Sequence, residues 1–451
     1  MADAFDLLLK GGQVLTPGGL AAADIGIRDG RFAALGDLSG AAAAQTWEVA
    51  GLTLLPGVID TQVHFREPGM EHKEDLGTGT AAAALGGVTA ICEMPNTKPP
   101  TTTAALLADK LARAAGRAWV DHAFFVGAAA ENIGGLAALE RLPGCAGIKM
   151  FMGSSTGSLL VAADAEVARV LADGSRRIAV HAEDEERLRE RRALAETAGD
   201  PAAHPVWRDA ETAVCATRRV LALARAAGRR VHVLHVTTGE EMALLAENKD
   251  LATVEVTPQH LTLAAPGCYE RLGTYAQMNP PIRDEAQRRA LWRAVAEGVV
   301  DVIGSDHAPH SREEKERRYP DSPSGMPGVQ TLLPLMLDHV AAGRLTLARL
   351  ADLVCAGPAR VYGMAGKGRI AVGYDADLSI VDLAARRRIT NGWIASRCGW
   401  TPFDGMMVTG WPEGTLVRGR IVMREGQLVG DPVGRPLRFA ETLARSGVPT
   451  Q

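Results

Sequence analysis

The chain has 451 residues, 47% of them hydrophobic, so it can bury a large core and exceeds the usual size of one domain. Its 49 basic and 53 acidic residues give a net charge of -4, and the absence of a dense Lys/Arg tract disfavours a nucleic-acid or membrane surface and favours a small-molecule substrate. Six widely spaced cysteines without a C-x-x-C pair predict reduced thiols. The sequence shows no signal peptide or membrane-length apolar stretch, so we expect a cytoplasmic protein.

Both ends of the chain carry short alternating strands and few helix signals. The N-terminal stretch contains the turn pair Asp29-Gly30, which is typical of β-hairpins. We expect residues 1–51 and 366–451 to form one composite β-sandwich domain that the rest of the chain interrupts. The final stretch, Pro432–Gln451, is expected to wrap a surface or serve an interface.

Residues 52–365 alternate short apolar runs with helix-length segments such as Thr103–Ala115 and Glu211–Ala227. Alternation of this kind is typical of parallel strands joined by helices. Eight runs predict a (β/α)8 TIM barrel of about 310 residues, inside the range of roughly 200 to more than 400 for that fold. The predicted strands are Leu52–Asp60, Val88–Met94, Val120–Val126, Gly147–Met152, Arg177–Glu183, Arg230–Thr238, Ala252–His260 and Val300–His307.

Polar side chains cluster at the carboxyl ends of these predicted strands, the face where barrels form their active sites. A single strand histidine is more often a hydrogen-bonded core residue, and Lys149 alone could be a lysine whose charge reaches solvent. Because the chain has only 11 histidines, their accumulation at strand ends is hard to attribute to chance. The residues concerned are Gln62, His64, Arg66, Asn96, Lys149, His181, His235, His260, Asp306, His307 and His310.

The segment Asp60–Gly69 looks like a metal-hydrolase signature with one ligand changed. It follows a predicted buried strand, where side chains two apart share a face. Two imidazoles there would bind one divalent metal, but the chain has Gln62 where the first is expected and His64 where the second is. An amide oxygen is at best a weak, neutral substitute for a zinc ligand.

Many segments of the chain share their order and spacing with one family. The chain resembles the class I dihydroorotases of the amidohydrolase superfamily over nearly its whole length, which implies a barrel that hydrolyses a cyclic amide. The resemblance rests on His64–Gly69, Lys73–Asp75, Gly86–Thr89, Met94–Thr97, Gly147–Met152, Val180–Glu183, His235–Thr238, Met278–Pro281 and Gly304–His310, with Asp29–Arg31 and Gly373–Val381 in the small domain.

The resemblance implies one or two Zn²⁺ ions in the barrel. Loss of the usual first histidine would leave one zinc anchored by His181 and His235 beside a weak or empty second position. In the family, the lysine of the fourth strand is a carbamate that bridges two metals, although some dihydroorotases use an aspartate instead. The implied ligands are His64, Lys149, His181, His235 and Asp306, with Gln62 at the position usually held by the first histidine.

The resemblance assigns the catalytic role to Asp306. It would take a proton from the attacking water and pass it to the departing ring nitrogen, as a general base and then acid. A helix cap is the alternative for an isolated aspartate. We favour the catalytic role because Ser305–His310 matches the family at each position.

Three residues, Arg66, Asn96 and a partly protonated His310, are predicted to hold a carboxylate on the substrate ring. For Arg66 alone, a surface ion pair with Glu67 or Glu71 is an alternative. Asn279 matches a family position that contacts the ring, and the alternative is a turn residue before proline.

The resemblance implies a dihydroorotase, which interconverts (S)-dihydroorotate and N-carbamoyl-L-aspartate in pyrimidine biosynthesis, and a homodimer. One alternative is an allantoinase or hydantoinase; hydantoinases tend to carry a tyrosine where this chain reads Met152–Thr156. The other is a low-activity subunit that scaffolds aspartate transcarbamoylase, which only Gln62 favours. The loop Ser311–Gly328 is expected to line or cover the pocket.

Overall fold

The computed structural model describes residues 4–16, 18–155 and 159–443. In chain order the strands are β1 (Phe5–Thr16), β2 (Gly19–Arg28), β3 (Arg31–Gly36), β4 (Ala43–Glu48), β5 (Thr53–Pro56), β6 (Val58–Val63), β7 (Val88–Glu93), β8 (Asp121–Gly127), β9 (Cys145–Phe151), β10 (Ile178–His181), β11 (Val231–Val233), β12 (Ala252–Val256), β13 (Val302–Ile303), β14 (Leu378–Arg388), β15 (Met407–Val417), β16 (Arg420–Arg424) and β17 (Gln427–Leu428).

Helices fill most of the connections between the central strands. They are α1 (Leu76–Leu85), α2 (Ala104–Ala114), α3 (Leu136–Leu139), α4 (Asp164–Ala172), α5 (Glu185–Ala198), α6 (His204–Trp207), α7 (Ala210–Ala227), α8 (Gly239–Ala246), α9 (Pro258–Thr262), α10 (Gly267–Leu272), α11 (Glu285–Ala296), α12 (Arg312–Lys315), α13 (Leu332–Ala341), α14 (Leu347–Ala351) and α15 (Gly357–Tyr362). Within the described ranges, no helix is long and apolar enough to cross a membrane.

Strands β6 to β13 lie side by side in chain order, and each pairs in parallel with its neighbours. The sheet curls until its edges meet, where Val63 and His307 form a parallel bridge. The His64 amide donates to the His307 carbonyl oxygen at 2.7 Å at the same seam. The predicted (β/α)8 barrel is therefore confirmed.

Small residues inside the barrel leave room for larger side chains that close its amino end. Ala90, Ala123, Ala146 and Ala179, from four successive strands, are buried in one cluster. The same cluster contains larger side chains from beyond the barrel strands, namely Tyr362, Met364, Leu437 and Phe439. The interior is a packed core at this end, so a ligand site in the barrel has to lie at the other end.

The first predicted strand, Leu52–Asp60, is wrong in its extent. Its first half forms β5, which pairs with β1 and β14 outside the barrel, and the barrel strand β6 begins only at Val58. A continuous apolar run is buried on both faces in either sheet, so periodicity cannot show where the chain passes from one sheet to the other.

The predicted seventh strand is also too long, because β12 ends at Val256. The Thr257 side chain accepts from the His260 amide and caps helix α9. His260 is therefore helical, and its Nε2 atom lies 3.1 Å from the carbonyl oxygen of Pro280.

The two ends of the chain form a separate nine-stranded sheet, as predicted. Its order is β17, β16, β15, β14, β5, β1, β2 and β3, with β4 paired to β1. The antiparallel pairing of β5 with β14, in which Leu55 lies opposite Ser379, joins the N-terminal and C-terminal halves. Apolar side chains from both halves, such as Ile25, Trp47 and Leu416, pack in one core.

The described part of the predicted C-terminal wrap, up to Leu443, runs along the amino end of the barrel. The His122 amide donates to the Arg435 carbonyl oxygen at 3.0 Å, and the Leu437 amide donates back to His122 at 2.8 Å. This segment therefore follows the start of β8. Residues 444–451 lie outside the described residues.

Candidate active site

A small cavity opens at the carboxyl end of the barrel, where the ends of six barrel strands or the loops after them converge. It brings together six of the predicted metal or catalytic residues and the predicted ring contact Asn279. The lining residues are Gln62, His64, Lys149, Phe151, Ser155, His181, His235, Asn279, Asp306, Ala308, Ser324 and Gly325.

One side of the cavity is built around Asp306. Its Oδ1 atom accepts a hydrogen bond from Gln62 Nε2 at 3.0 Å and lies 3.2 Å from His64 Nε2. The other ring nitrogen of His64 lies 2.7 Å from Asn96 Oδ1. Asp306 caps none of the described helices, so the helix-cap alternative is wrong; the cap of the nearby helix α12 is Ser311.

The opposite side of the cavity holds a pair of histidines, with His181 Nδ1 3.0 Å from His235 Nε2. The second nitrogen of His181 lies 2.9 Å from Glu183, which also accepts from Arg208. Burial raises the pKa of Glu183, but Arg208 and His181 hold it well below its ordinary range. An ionised Glu183 favours the proton on His181 Nε2 and leaves the Nδ1 lone pair directed into the cavity.

Lys149 projects from β9 between these two sides. The residue is 1% exposed, so the alternative of a surface lysine is wrong. Its Nζ atom lies 4.4 Å from the centre of the Phe151 ring and has no hydrogen-bond partner among the described residues. Burial lowers the pKa of Lys149 to about 7, which favours the uncharged amine.

The backbone is strained at this end of the barrel. Arg66, His235 and Asp306 have φ values of 68°, 39° and 45°, in the left-handed region that residues with a Cβ atom rarely occupy. Such conformations persist only where the surrounding structure holds them, and they concentrate at functional sites. Here the left-handed conformations direct the side chains of His235 and Asp306 into the cavity lining and orient the neighbouring Arg66 guanidinium.

The three residues predicted to hold a substrate carboxylate, Arg66, Asn96 and His310, are not among the residues that line the cavity. Arg66 is buried, donates from Nε to the Pro309 carbonyl oxygen at 3.1 Å, and its Nη2 atom lies 3.2 Å from His310 Nε2. The alternative of a surface ion pair is wrong, because Glu67 instead pairs with Arg117 and Glu71 accepts from the Gly69 amide.

The prediction of a partly protonated His310 is corrected by its surroundings. Burial, followed by the nearby charge of Arg66, lowers the pKa of His310 well below its ordinary value. These surroundings therefore favour the neutral ring. Its contribution to a clamp would be a hydrogen bond and not a positive charge.

The loop between β13 and α13 closes one wall of the cavity with Ser324 and Gly325, in line with the predicted role of residues 311–328. Gly325 has a φ of 137°, and a Cβ atom there would lie 2.5 Å from the Ala308 carbonyl oxygen and 3.0 Å from His310 Nε2. Only glycine allows this approach.

The segment Met152–Thr156, where hydantoinases tend to carry a tyrosine, ends at Thr156, which lies outside the described residues.

The donors around the cavity fit a divalent metal. Lys149 Nζ, His235 Nδ1 and Gln62 Oε1 are buried without a hydrogen-bond partner among the described residues. Burial lowers the pKa values of His64, His181 and His235, so these rings are neutral and can offer a lone pair. In the described part of the chain, no three His, Cys, Asp or Glu side chains form a metal-binding group by themselves. A complete centre would therefore also need Lys149 or Gln62.

Sequence reasoning missed Glu183 and Arg208, which orient His181, and Phe151, which packs beside Lys149. The signal for Glu183 was present, since it is two residues after His181 in the segment Val180–Glu183 and shares its face in an extended chain. The Nε2 atom of His204 lies 3.0 Å from Asn279 Oδ1, so His204 positions that residue.

The model of the Amidohydrolase family matches residues 53–422, so the chain belongs to the amidohydrolase family. The dihydroorotase of Halobacterium salinarum is 39% identical over 396 residues, which cover 86% of this chain and 90% of that protein. The allantoinase of Deinococcus radiodurans is 34% identical over 450 residues, which cover 96% and 99%. The solved L-hydantoinase from Arthrobacter aurescens superposes with a TM-score of 0.91 at 32% identity and covers 96% of this chain and 99% of its own.

Proposed function

We propose that this amidohydrolase is a dihydroorotase, which reversibly opens the ring of (S)-dihydroorotate to give N-carbamoyl-L-aspartate. The observation that carries the proposal is the state of Arg66. Its guanidinium is buried beside the cavity, and it forms no ion pair with a carboxylate among the described residues. The carboxylates of Asp306 and Glu314 act on this guanidinium only from beyond ion-pair distance, and the ring carboxylate of dihydroorotate would supply a directly paired one.

The same observation separates the proposal from the nearest alternatives. The rings of allantoin and hydantoin have no carboxylate for Arg66 to hold, so they would leave the guanidinium without a directly paired anion. The relatives include proteins named dihydroorotase, allantoinase and L-hydantoinase. The 39% identity to the Halobacterium protein supports the first of these activities, and Arg66 gives that preference a physical reason.

We propose that the cavity holds one or two Zn²⁺ ions. His181, His235 and Lys149 would hold the first, with Lys149 as a carbamate, since the uncharged amine is the form that adds CO₂. His64 and Asp306 would hold a second, which Gln62 weakens because a neutral amide replaces an imidazole. When bound, the metal supplies Lewis-acid activation of water and of the ring carbonyl group.

Asp306 is placed to move the proton that ring opening requires. Water adds to the ring carbonyl carbon, the bond from that carbon to the ring nitrogen breaks, and one proton passes from the water to the nitrogen. Asp306 Oδ1 lies at the cavity, held by Gln62 and His64, so it would take the proton and release it to the nitrogen. The Gln62 side chain is a neutral amide and burial favours the neutral His64 ring, so neither competes with Asp306 as the acid at this step.

The experiment is ring opening by the purified protein after chelation and after zinc is added back, with the zinc content measured in parallel. Dihydroorotate, allantoin and hydantoin are compared as substrates. The variant Arg66→Met should raise KM for dihydroorotate about 10- to 100-fold while zinc content stays unchanged. A substrate without a carboxylate is the internal control, since its turnover should not respond to this change.

Two outcomes would reject the proposal. Faster turnover of allantoin or hydantoin, unaffected by Arg66→Met, would assign the chain to one of those activities. A folded protein that binds no zinc and opens none of the three rings would favour a subunit that scaffolds another enzyme.

A further inference from the structure

A second cavity, of about 740 Å³, lies at the amino end of the barrel, away from the candidate active site. Three segments that are distant in sequence enclose it. They are the turn Asp29–Arg31 between β2 and β3, the turn Arg418–Arg420 between β15 and β16, and the tail Pro432–Arg438. The volume lies within the roughly 300 to 1,000 Å³ that is typical of small-molecule sites.

The floor of this cavity is a network of charges that satisfy one another. Lys367 Nζ donates to Asp121 and Asp377, at 2.6 Å each, and lies 3.3 Å from Asp375. Arg418 donates to Asp121 and to the Val433 carbonyl oxygen. The floor groups are buried and already paired, so they leave little charge for a ligand.

The rim differs from the floor because its guanidinium groups are poorly paired. Arg31 and Arg438 share the carboxylate of Asp375, at 3.6 Å and 3.7 Å, which is beyond hydrogen-bond distance, and Arg31 also donates to the Gly373 carbonyl oxygen. The side chains of Arg420 and Arg435 form no hydrogen bond or ion pair within the described ranges. Four arginines therefore share the rim with two carboxylates, those of Asp29 and Asp375.

The charge of this cavity is opposite to that of the whole chain. Six basic and three acidic side chains line it, whereas the chain carries a net charge of -4. Like charges held together in one concave site focus a positive potential that attracts anions. We propose that this cavity binds a phosphorylated small molecule that carries two or more phosphate groups.

The size of the cavity and the residues around it narrow the ligand class. Several guanidinium forks around one space match the oxygen atoms and the charge of a phosphate chain. No aromatic side chain is among the lining residues of the described chain, so a nucleobase would find no stacking surface. Recognition would therefore centre on the phosphates, and any sugar or base would be tolerated without being selected.

The test is calorimetric titration of the full chain with inorganic tripolyphosphate. The variant Arg420→Gln with Arg435→Gln should bind at least about tenfold more weakly, because each lost guanidinium removes a charge-assisted hydrogen bond. Since neither side chain has a described partner, the variant should keep the wild-type melting temperature without ligand. The single variants Arg420→Gln and Arg435→Gln, each of which retains one of the two arginines, are titrated in the same way.

A matched control separates the cavity from net charge. Arg169→Gln with Arg271→Gln removes two exposed positive charges elsewhere and should leave the affinity unchanged. The proposed site would be overturned if the wild type, the Arg420→Gln/Arg435→Gln variant and the control variant bound tripolyphosphate with equal affinity. It would also be overturned if the control variant lost as much affinity as the cavity variant. Citrate that binds as tightly as tripolyphosphate would overturn the phosphate assignment, and absence of binding by the wild-type chain would overturn the proposal. None of these results depends on which cyclic amide the enzyme opens.

Discussion

The two ends of the barrel bury charged and polar groups in opposite ways. At the carboxyl end, Lys149 Nζ and His235 Nδ1 have no partner among the described residues, and the backbone at Asp306 is left-handed. At the amino end, Lys367 contacts three carboxylates, and Asp121 also accepts from Arg418. Lys149 and Lys367 are both buried, but only Lys367 has hydrogen-bond partners among the described residues.

This difference separates a binding site from a structural joint. Buried polar groups without partners cost stability, so a fold that retains several around one cavity is suited to a ligand that completes them. Buried charges that pair across the barrel and the small sheet instead hold the two parts of the chain together. Substitutions at the two ends should therefore affect different measurements.

The largest effect on activity is expected for Asp306→Asn. The amide cannot accept and release the proton, so kcat should fall about 10²- to 10⁴-fold. The unfolding free energy should change little, because Asn can still bond to Gln62 and His64. Steady-state kinetics and urea unfolding test this together. A loss of unfolding free energy large enough to explain the loss of activity would contradict a catalytic role for Asp306 that is separate from stability.

Lys367→Met should have the converse effect. It leaves the carboxylates of Asp121, Asp375 and Asp377 buried without their shared cation, which should lower the unfolding free energy by about 3–5 kcal/mol. The folded fraction should retain the wild-type kcat. Urea unfolding combined with an assay of the folded protein measures both, and reduced kcat in fully folded protein would contradict the assignment.

Glu183→Gln should weaken metal binding about 10- to 100-fold, because the amide no longer favours the tautomer of His181 that offers Nδ1 to the cavity. Excess zinc should restore most of the activity. The control is Glu241→Gln, a buried carboxyl bonded to Thr217 and Thr238 away from the cavity. Zinc competition with a chelator gives the affinities, and equal affinities in both variants would argue against the positioning role of Glu183.

The smallest effect is expected for Gln62→His. An imidazole there restores a nitrogen donor beside His64, so the zinc content should rise towards two per chain while kcat changes a few-fold at most. Metal analysis after dialysis measures the ratio. A ratio that stays the same as in the unchanged chain would show that Gln62 does not limit the second position.

Much of the fold could be predicted because it depends on local patterns. Helix α7 begins one residue before its predicted start, and the eight barrel strands occur in the predicted order. The alternation of apolar runs with helical segments is sufficient for this, since a parallel strand and its helix are encoded by adjacent residues. Lys149, His181, His235 and Asp306 follow from the same pattern because strand ends meet at one face.

The partners of these residues depended on contacts between distant parts of the chain. Asp306 meets Gln62 across 244 residues, and Lys367 meets Asp121 across 246. Whether Thr53–Pro56 joins the barrel or the small sheet depends on β14, more than 300 residues later. The amino-acid sequence by itself determined the barrel and which residues face its carboxyl end, since both follow from local periodicity. Only the tertiary structure decided which buried charges are paired and which are left for a ligand, because hydrogen-bond partners are set by packing across the whole chain.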